Sequence, residues 1–243
     1  MNSTGMFWAS KKYHLEDMTF PELVKAYIQY PAIQVYFMIA LAAAIAISLQ
    51  GLWSFVHIVI AVIVAFIYPL IWYLLHRYVL HSRYLYRSPN FAKMWKRIHF
   101  DHHTDPNDLR VLFGALHTTL PTVAICTMPI GWLIDGWVGA SVAIAAGVIV
   151  TMFYEFCHCI QHLHYTPSIK FFRTIKRFHL LHHYRNEHGN YGITNYFWDK
   201  LFGTYYDKDD KWEKSPTVFN LGYDELQAEK YPWVAELTRP AEE

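Results

Sequence analysis

Two long stretches of this chain carry no lysine or arginine, residues 26–76 and 111–169. The first has no acidic residue either, and the second has only Asp135 and Glu155. One crossing of a bilayer by an α-helix needs about 20 apolar residues, so each stretch has room for two. The first divides at Gln50-Gly51, which predicts helices near 33–49 and 53–75. The second divides at Asp135-Gly136, which predicts helices near 112–134 and 137–157. The pattern predicts an all-α, integral membrane, multi-pass fold with four transmembrane helices in two hairpins.

The polar remainder sets the orientation. All 21 Lys and Arg lie in residues 1–25, 77–110 and 170–243. An even number of crossings puts these three segments on one side, and the positive-inside bias makes that side cytosolic. The expected organisation is an N-terminal cytosolic segment (1–32), then a four-span membrane region (33–157) with an inserted cytosolic loop (76–110), then a cytosolic catalytic cap and C-terminal tail (158–243). The first apolar run begins only after Pro31, behind Lys11, Lys12, Glu16, Asp17 and Glu22. It reads as a retained membrane segment, with no cleavable leader. Residues 168–183 read as an amphipathic helix. Lys170, Arg173, Lys176 and Arg177 form a face suited to lipid headgroups, and Phe172, Ile175, His179 and His182 form another. The acidic tail is expected to fold over the cap.

Composition then narrows the function classes. A formal net charge of +1 argues against a nucleic-acid binder. Cys126, Cys157 and Cys159 are too few and too close together for a disulfide framework, and fit a reducing compartment. Histidine is the outlier, with fifteen in 243 residues.

An internal repeat organises those histidines. Lys96-Arg97-Ile98-His99-Phe100-Asp101-His102-His103 returns as Lys176-Arg177-Phe178-His179-Leu180-Leu181-His182-His183. Each copy is preceded by a histidine pair at a span end, His76 and His81 in the first half, His158 and His162 in the second. Each half therefore reads as hairpin, histidine pair, then a helix bearing HxxHH. A pseudo-two-fold axis along the membrane normal would bring the two sets together. One set per metal is the simple expectation, with sharing between halves left open.

On a helix, HxxHH places its three imidazoles on one face, and His158 and His162 lie one turn apart. His76 and His81 would stand about 140° apart on a regular helix, so a distortion must bring them together. Ten imidazoles in one pocket exceed what a mononuclear site uses and suggest two metals with four or five each. Imidazole suits Zn, Cu, Fe and Ni alike. Asp101, Asp105 and Glu155 are candidate acids behind the ligands. His14, His57 and His117 read as structural, with His57 remote from the site. His164 and His188 stay open as substitute ligands.

HRYVLH (76–81), HFDHH (99–103), HCIQH (158–162) and HLLHH (179–183) resemble the histidine boxes of the fatty acid hydroxylase/sterol desaturase superfamily. DPNDLRVLF (105–113) and NYGITNYFWDKLFGT (190–204) look most like the fatty acid and sphingolipid 2-hydroxylases, and the resemblance covers residues 70–205. It implies a non-heme di-iron centre, with zinc able to occupy purified protein, ligated by His76, His81, His99, His102, His103, His158, His162, His179, His182 and His183. It also implies O2-dependent hydroxylation of a membrane lipid at the acyl carbon next to the carbonyl. No fused cytochrome b5 domain fits, so electrons would come from a separate donor of cytochrome b5 or ferredoxin type. The setting would be the endoplasmic reticulum or a bacterial inner membrane. Trp72, Tyr154, Phe197 and Trp198 are candidate walls of the lipid pocket. The box at 158–162 continues into His164, which leaves His162 and His164 both open as the ligand. Sterol desaturase, methyl oxidase and carotenoid hydroxylase activities use the same boxes. A metal transporter would place its ligands within the spans, and a heme protein would use paired axial histidines.

Overall fold

The computed structural model describes residues 14–207 and 212–238. Lys11 and Lys12, together with Lys208, Lys211 and Arg239, lie outside the described residues. Among these residues the regular structure is helical, apart from one isolated bridge between His14 and Asp108.

Helix α1 (Phe20–Gln29) precedes the first apolar helix. It starts where Thr19 N–H donates to the Glu22 carboxylate at 2.8 Å, a local cap that the hydropathy pattern alone does not reveal. Helix α2 (Pro31–Leu49) starts on Pro31, whose fixed φ suits a first helical position. The chain turns at Gly51, where φ is +63°, a conformation glycine adopts without strain. Helix α3 (Phe55–Leu75) then runs back and continues as a π-helical turn over His76–Leu80.

The cap follows as α4 (Tyr84–Arg87), α5 (Pro89–Trp95), a second π-helical turn over Lys96–Phe100, α6 (Asp101–Thr104) and α7 (Leu109–Leu112). Helix α8 (Leu116–His162) is broken by non-helical backbone at Asp135 (φ −147°, ψ 41°) and Gly136 (φ 52°, ψ −142°). The chain reverses there. A Cβ on Gly131 would sit 2.0 Å from the Gly139 carbonyl oxygen, and one on Gly147 would meet Val123 and Thr127. Two antiparallel arms in near backbone contact are therefore joined at 135–136. Helix α9 (Lys170–Tyr184), α10 (Phe197–Leu201), α11 (Glu225–Lys230) and α12 (Trp233–Glu236) complete the cap.

Three apolar segments are long enough to cross a bilayer: Pro31–Leu49, Phe55–Leu80 and Leu109–His162, the last containing the reversal. Their outward side chains are apolar, with Leu49, Phe55, Ile125, Leu133 and Trp137 each 74–83% exposed. Such a band is unfavourable in water and at home in lipid. Helices α2 and α3 pack on α8 around Ile33, Tyr36, Tyr68, Val123 and Val148. At one end of this bundle, Ser54 N–H donates to His57 Nδ1, so the ring proton sits on Nε2 and is given to Asp135 at 2.9 Å. That pair ties the two hairpin turns together. At the other end the cap is held by Tyr86, Trp95, Tyr223 and Val234, with Trp233 Nε1 donating to the Tyr86 carbonyl, so residues 221–235 of the tail lie against α4 and α5.

The amphipathic helix differs in one respect from the sequence expectation. Lys176 is partly buried and its ammonium donates to the carbonyls of Leu163 and Ile160, closing the C-terminal end of α8. Arg177 pairs with Asp207. Lys170, Arg173 and Arg177 remain exposed, the last of them engaged by Asp207.

Candidate metal centre

The π-helical turn at His76–Leu80 supplies the distortion that the i, i+5 spacing requires. A π turn closes N–H(i+5) on C=O(i) and widens the helix. Here His81 N donates to the His76 carbonyl at 3.1 Å, and the two Nε2 atoms come within 3.2 Å. The second π turn, Lys96–Phe100, delivers His99 into the HxxHH box.

The ten boxed histidines form two adjacent groups. His76, His81, His99 and His103 make the first, and His102, His158, His162, His179 and His183 the second. His182 lies with His103 and His183 where the two groups meet; its ring centroid is 4.8 Å from His76, 4.9 Å from His81 and 5.1 Å from His103, against 5.3 Å from His183, so it sits on the side of the first. The grouping therefore does not follow one repeat per group, and it shows the sharing between halves that the sequence left open. Successive residues on a helix point about 100° apart, so each HxxHH divides. Its first and last imidazoles serve one group and its middle one crosses to the other. His102 is given by the first half to the second, and His182 by the second half to the first. His103 and His183 stack at 4.2 Å where the groups meet.

This donor set fits two metal ions. In the second group, His158 and His102 bring Nε2 atoms to 3.0 Å, and His162 and His179 to 2.8 Å. Metal–imidazole bonds of about 2.0–2.1 Å at right angles set neighbouring nitrogens about 3 Å apart. Buried nitrogens without partners face inward, including Nε2 of His99, His103, His182 and His183. Orphaned polar atoms at this density are costly unless a ligand takes the lone pairs. Burial, reinforced by the neighbouring rings, holds His81, His99, His102, His179, His182 and His183 well below the usual imidazole range. Burial pushes His103 down to about 3. Neutral rings with open lone pairs are what a metal needs.

The orienting partners are backbone carbonyls. His76 Nδ1 donates to Tyr191 O at 2.7 Å, His182 Nδ1 to Gly189 O at 2.8 Å, and His103 Nδ1 to Val218 O at 2.9 Å. The three acids expected behind the ligands are engaged elsewhere. Asp101 holds Lys96 at 2.6 Å, Asp105 accepts from Asn107 N, and Glu155 accepts from Gly114 N. Residues 189–206 form the platform for two of the carbonyls. Buried Asp199 accepts from Tyr191 N, Gly192 N and Thr204 Oγ1 at 2.8–2.9 Å. Asn190, at φ +55°, brackets Tyr206 with both ends of its amide. The stretch 190–204 stood out in the sequence, but its carbonyl-presenting role did not, because no residue in it is itself a ligand type in a ligand spacing.

The open histidines resolve by position. His162 lies in the second group, and exposed His164 lies outside it. His188 is exposed and pairs with Glu187 at 3.3 Å, His117 is exposed, and His14 lies 3.9 Å from Asp105.

Between the bundle and the histidines lies a cavity of about 190 Å³. His76, His99, His102, His158 and His179 form one wall, and Trp72, Leu75, Val79, Ile98, Leu112 and Tyr154 line much of the rest. Glu155, Thr118, Thr119 and Thr122 add a polar patch. Trp72 and Tyr154 stack at 5.4 Å; Trp198 sits with them around a smaller neighbouring cavity, and Phe197 is exposed.

Comparison with known proteins gives the family and the fold. The Fatty acid hydroxylase family matches residues 61–204. The ceramide very long chain fatty acid hydroxylase SCS7 of Saccharomyces cerevisiae is 31% identical over 58% of this chain and 36% of its own length. The dihydroceramide fatty acyl 2-hydroxylase FAH2 of Arabidopsis thaliana is 34% identical over 60% of this chain and 61% of its own length. The chain thus spans only part of each relative's length. A solved structure of full-length scs7p, with only the hydroxylase domain visible, shares the fold at TM-score 0.62 and 24% identity, over 82% of this chain and 71% of that one. The matched segment contains all four histidine boxes and extends over more than half of the sequence: the chain belongs to the fatty acid hydroxylase family.

Proposed function

We propose that this chain is an O2-dependent membrane lipid hydroxylase that oxidises a fatty acyl chain at the carbon next to its carbonyl. The observation that carries the reading is ten imidazoles gathered in contiguous ligand groups that open on a largely apolar cavity beside helices suited to a bilayer. The Arabidopsis relative's description as a fatty acyl 2-hydroxylase supports the position of attack, and the yeast relative's as a ceramide fatty acid hydroxylase supports the class of substrate.

In this reading the first ion is held by His76, His81, His99, His103 and His182, and the second by His102, His158, His162, His179 and His183. Two irons bound there would supply O2 activation. The reaction takes one lipid C–H, O2, two electrons and two protons, and yields C–OH and water. The electrons come from a cytochrome b5- or ferredoxin-type donor. The chain's own residues do the rest. Neutral imidazoles keep their lone pairs at pH 7, and carbonyls 189, 191 and 218 fix their orientation. Trp72, Tyr154 and the aliphatic wall exclude water and hold the acyl chain in register. The two arms of α8 make four crossings with α2 and α3, which sets the cap and its basic residues on the cytosolic face. The division into an N-terminal segment, a membrane region and a catalytic cap belongs to the same proposal.

The test is lipid mass spectrometry of cells expressing the chain under isotopically heavy O2. The expected product is an N-acyl lipid carrying one heavy oxygen on its acyl chain, absent with His102→Ala or His183→Ala. A labelled sterol or carotenoid would move the chain to that branch of the superfamily. Metal flux without labelled lipid would make it a transporter.

A further inference from the structure

The repeat makes the ten ligands correspond in pairs: 76 with 158, 81 with 162, 99 with 179, 102 with 182 and 103 with 183. Their surroundings do not follow that symmetry. In the first group, His76, His103 and His182 each give Nδ1–H to a backbone carbonyl at 2.7–2.9 Å. Their counterparts His158, His183 and His102 have no such partner among the described residues, and Nδ1 of His102, His162, His179 and His183 is buried without a hydrogen bond. The cause lies in the chain order. The three carbonyls come from residues 189, 191 and 218, which follow the second repeat. Eighty residues earlier, the equivalent stretch after the first repeat (109–138) goes into α7, the first arm of α8 and the reversal at 135–136 instead. A segment present once can brace only one of two symmetric sites.

Resting on the dinuclear reading above, we propose that the two metal positions are unequal. The first is the tight, braced position, and the second is the exchangeable one. Groups that hydrogen-bond a ligating histidine typically change metal affinity about 10- to 100-fold each when lost. Three such bonds on one side and none on the other should separate the two affinities by at least roughly tenfold. Asp199 and Glu187 are the positioning residues. Asp199 fixes Tyr191 through two backbone N–H groups, and Glu187 Oε1 accepts from Ser215 and Thr217, the residues leading to Val218.

The experiment uses the full chain in detergent, loaded with zinc and titrated with a chromophoric chelator. Two equivalents should leave in two steps, with midpoints at least tenfold apart. His158→Ala should remove the early step and leave the late one. Asp199→Ala should bring the late step toward the early one without moving the early one; if it does not fold, Thr217→Val, which removes one contact to Glu187, serves instead. Two equivalents leaving at one midpoint, or a braced-side variant that moves only the early step, would overturn the inequality while leaving the dinuclear reading intact. Fewer than two equivalents bound by the unaltered chain would sink the dinuclear reading itself.

Discussion

Replacing Gly139 by alanine tests the reversal of α8 on which the placement of the second histidine pair depends. A Cβ there would stand 2.2 Å from the Gly131 carbonyl oxygen, where real Cβ contacts are essentially never under 3.0 Å. The arms must part by at least the difference of these values, about 0.8 Å. The obstacle is backbone, so no side chain can rotate away. Overpacking of this kind costs roughly 1–3 kcal/mol, and the upper end is expected here. For a chain of this size each kcal/mol lowers the melting midpoint by about 2–4 °C, so Gly139→Ala should lose roughly 6–12 °C. The assay is thermal unfolding in detergent followed by circular dichroism. Gly131→Ala attacks the same contact from the other arm, so the double variant should cost less than the sum of the singles. Gly51→Ala meets nothing within 4 Å, carries only the left-handed strain of its φ, and should be additive with either. A Gly139→Ala midpoint within a degree of the unaltered chain would refute antiparallel packing, and the four-helix arrangement with it.

Further outcomes follow from the site. His102→Ala and His182→Ala remove ligands that cross between repeats, so each should deplete the metal of the opposite half, read as one equivalent lost by metal analysis. Below the ordinary imidazole pKa near 6.5 the unfolded chain takes up protons that the buried rings refuse. Their folded values are depressed, for His103 to about 3, so the stability they confer is intact above about 6.5 and is lost as pH falls toward the folded values. The metal-free chain should therefore melt at progressively lower temperature from pH 7 to pH 5, and a flat profile would contradict the burial. Thr122 lines the cavity and is not itself a ligand type, so Thr122→Trp should occupy its space and abolish lipid product while metal content stays at two equivalents.

Much of this architecture was legible in the chain. The charge-free stretches located α2, α3 and the two arms of α8 to within a few residues, because lipid tolerates no long polar interruption. Asp135-Gly136 was readable as a reversal because glycine accepts the positive φ that the turn demands. The repeat exposed all ten boxed histidines, because ligand chemistry leaves few residue types to choose from. Other features depend on three-dimensional closure. The need for a distortion at His76 and His81 followed from their spacing, but its form as a π turn did not. The exchange of His102 and His182 depends on how two helices face each other, which no spacing specifies. Lys176 read as part of a lipid-facing stripe, yet it closes the end of α8, because folding brings its ammonium to the carbonyls of Ile160 and Leu163 on another helix end. The carbonyls at 189, 191 and 218 carry no side-chain signature at all.

In the proposed site ten imidazoles hold two metals, with one ligand exchanged each way between the repeats. The most direct measurement is an anomalous-scattering map of crystals of the iron-loaded chain. Two peaks are expected, one enclosed by His76, His81, His99, His103 and His182, the other by His102, His158, His162, His179 and His183. A single peak, or two peaks each enclosed by the histidines of one repeat alone, would contradict the account.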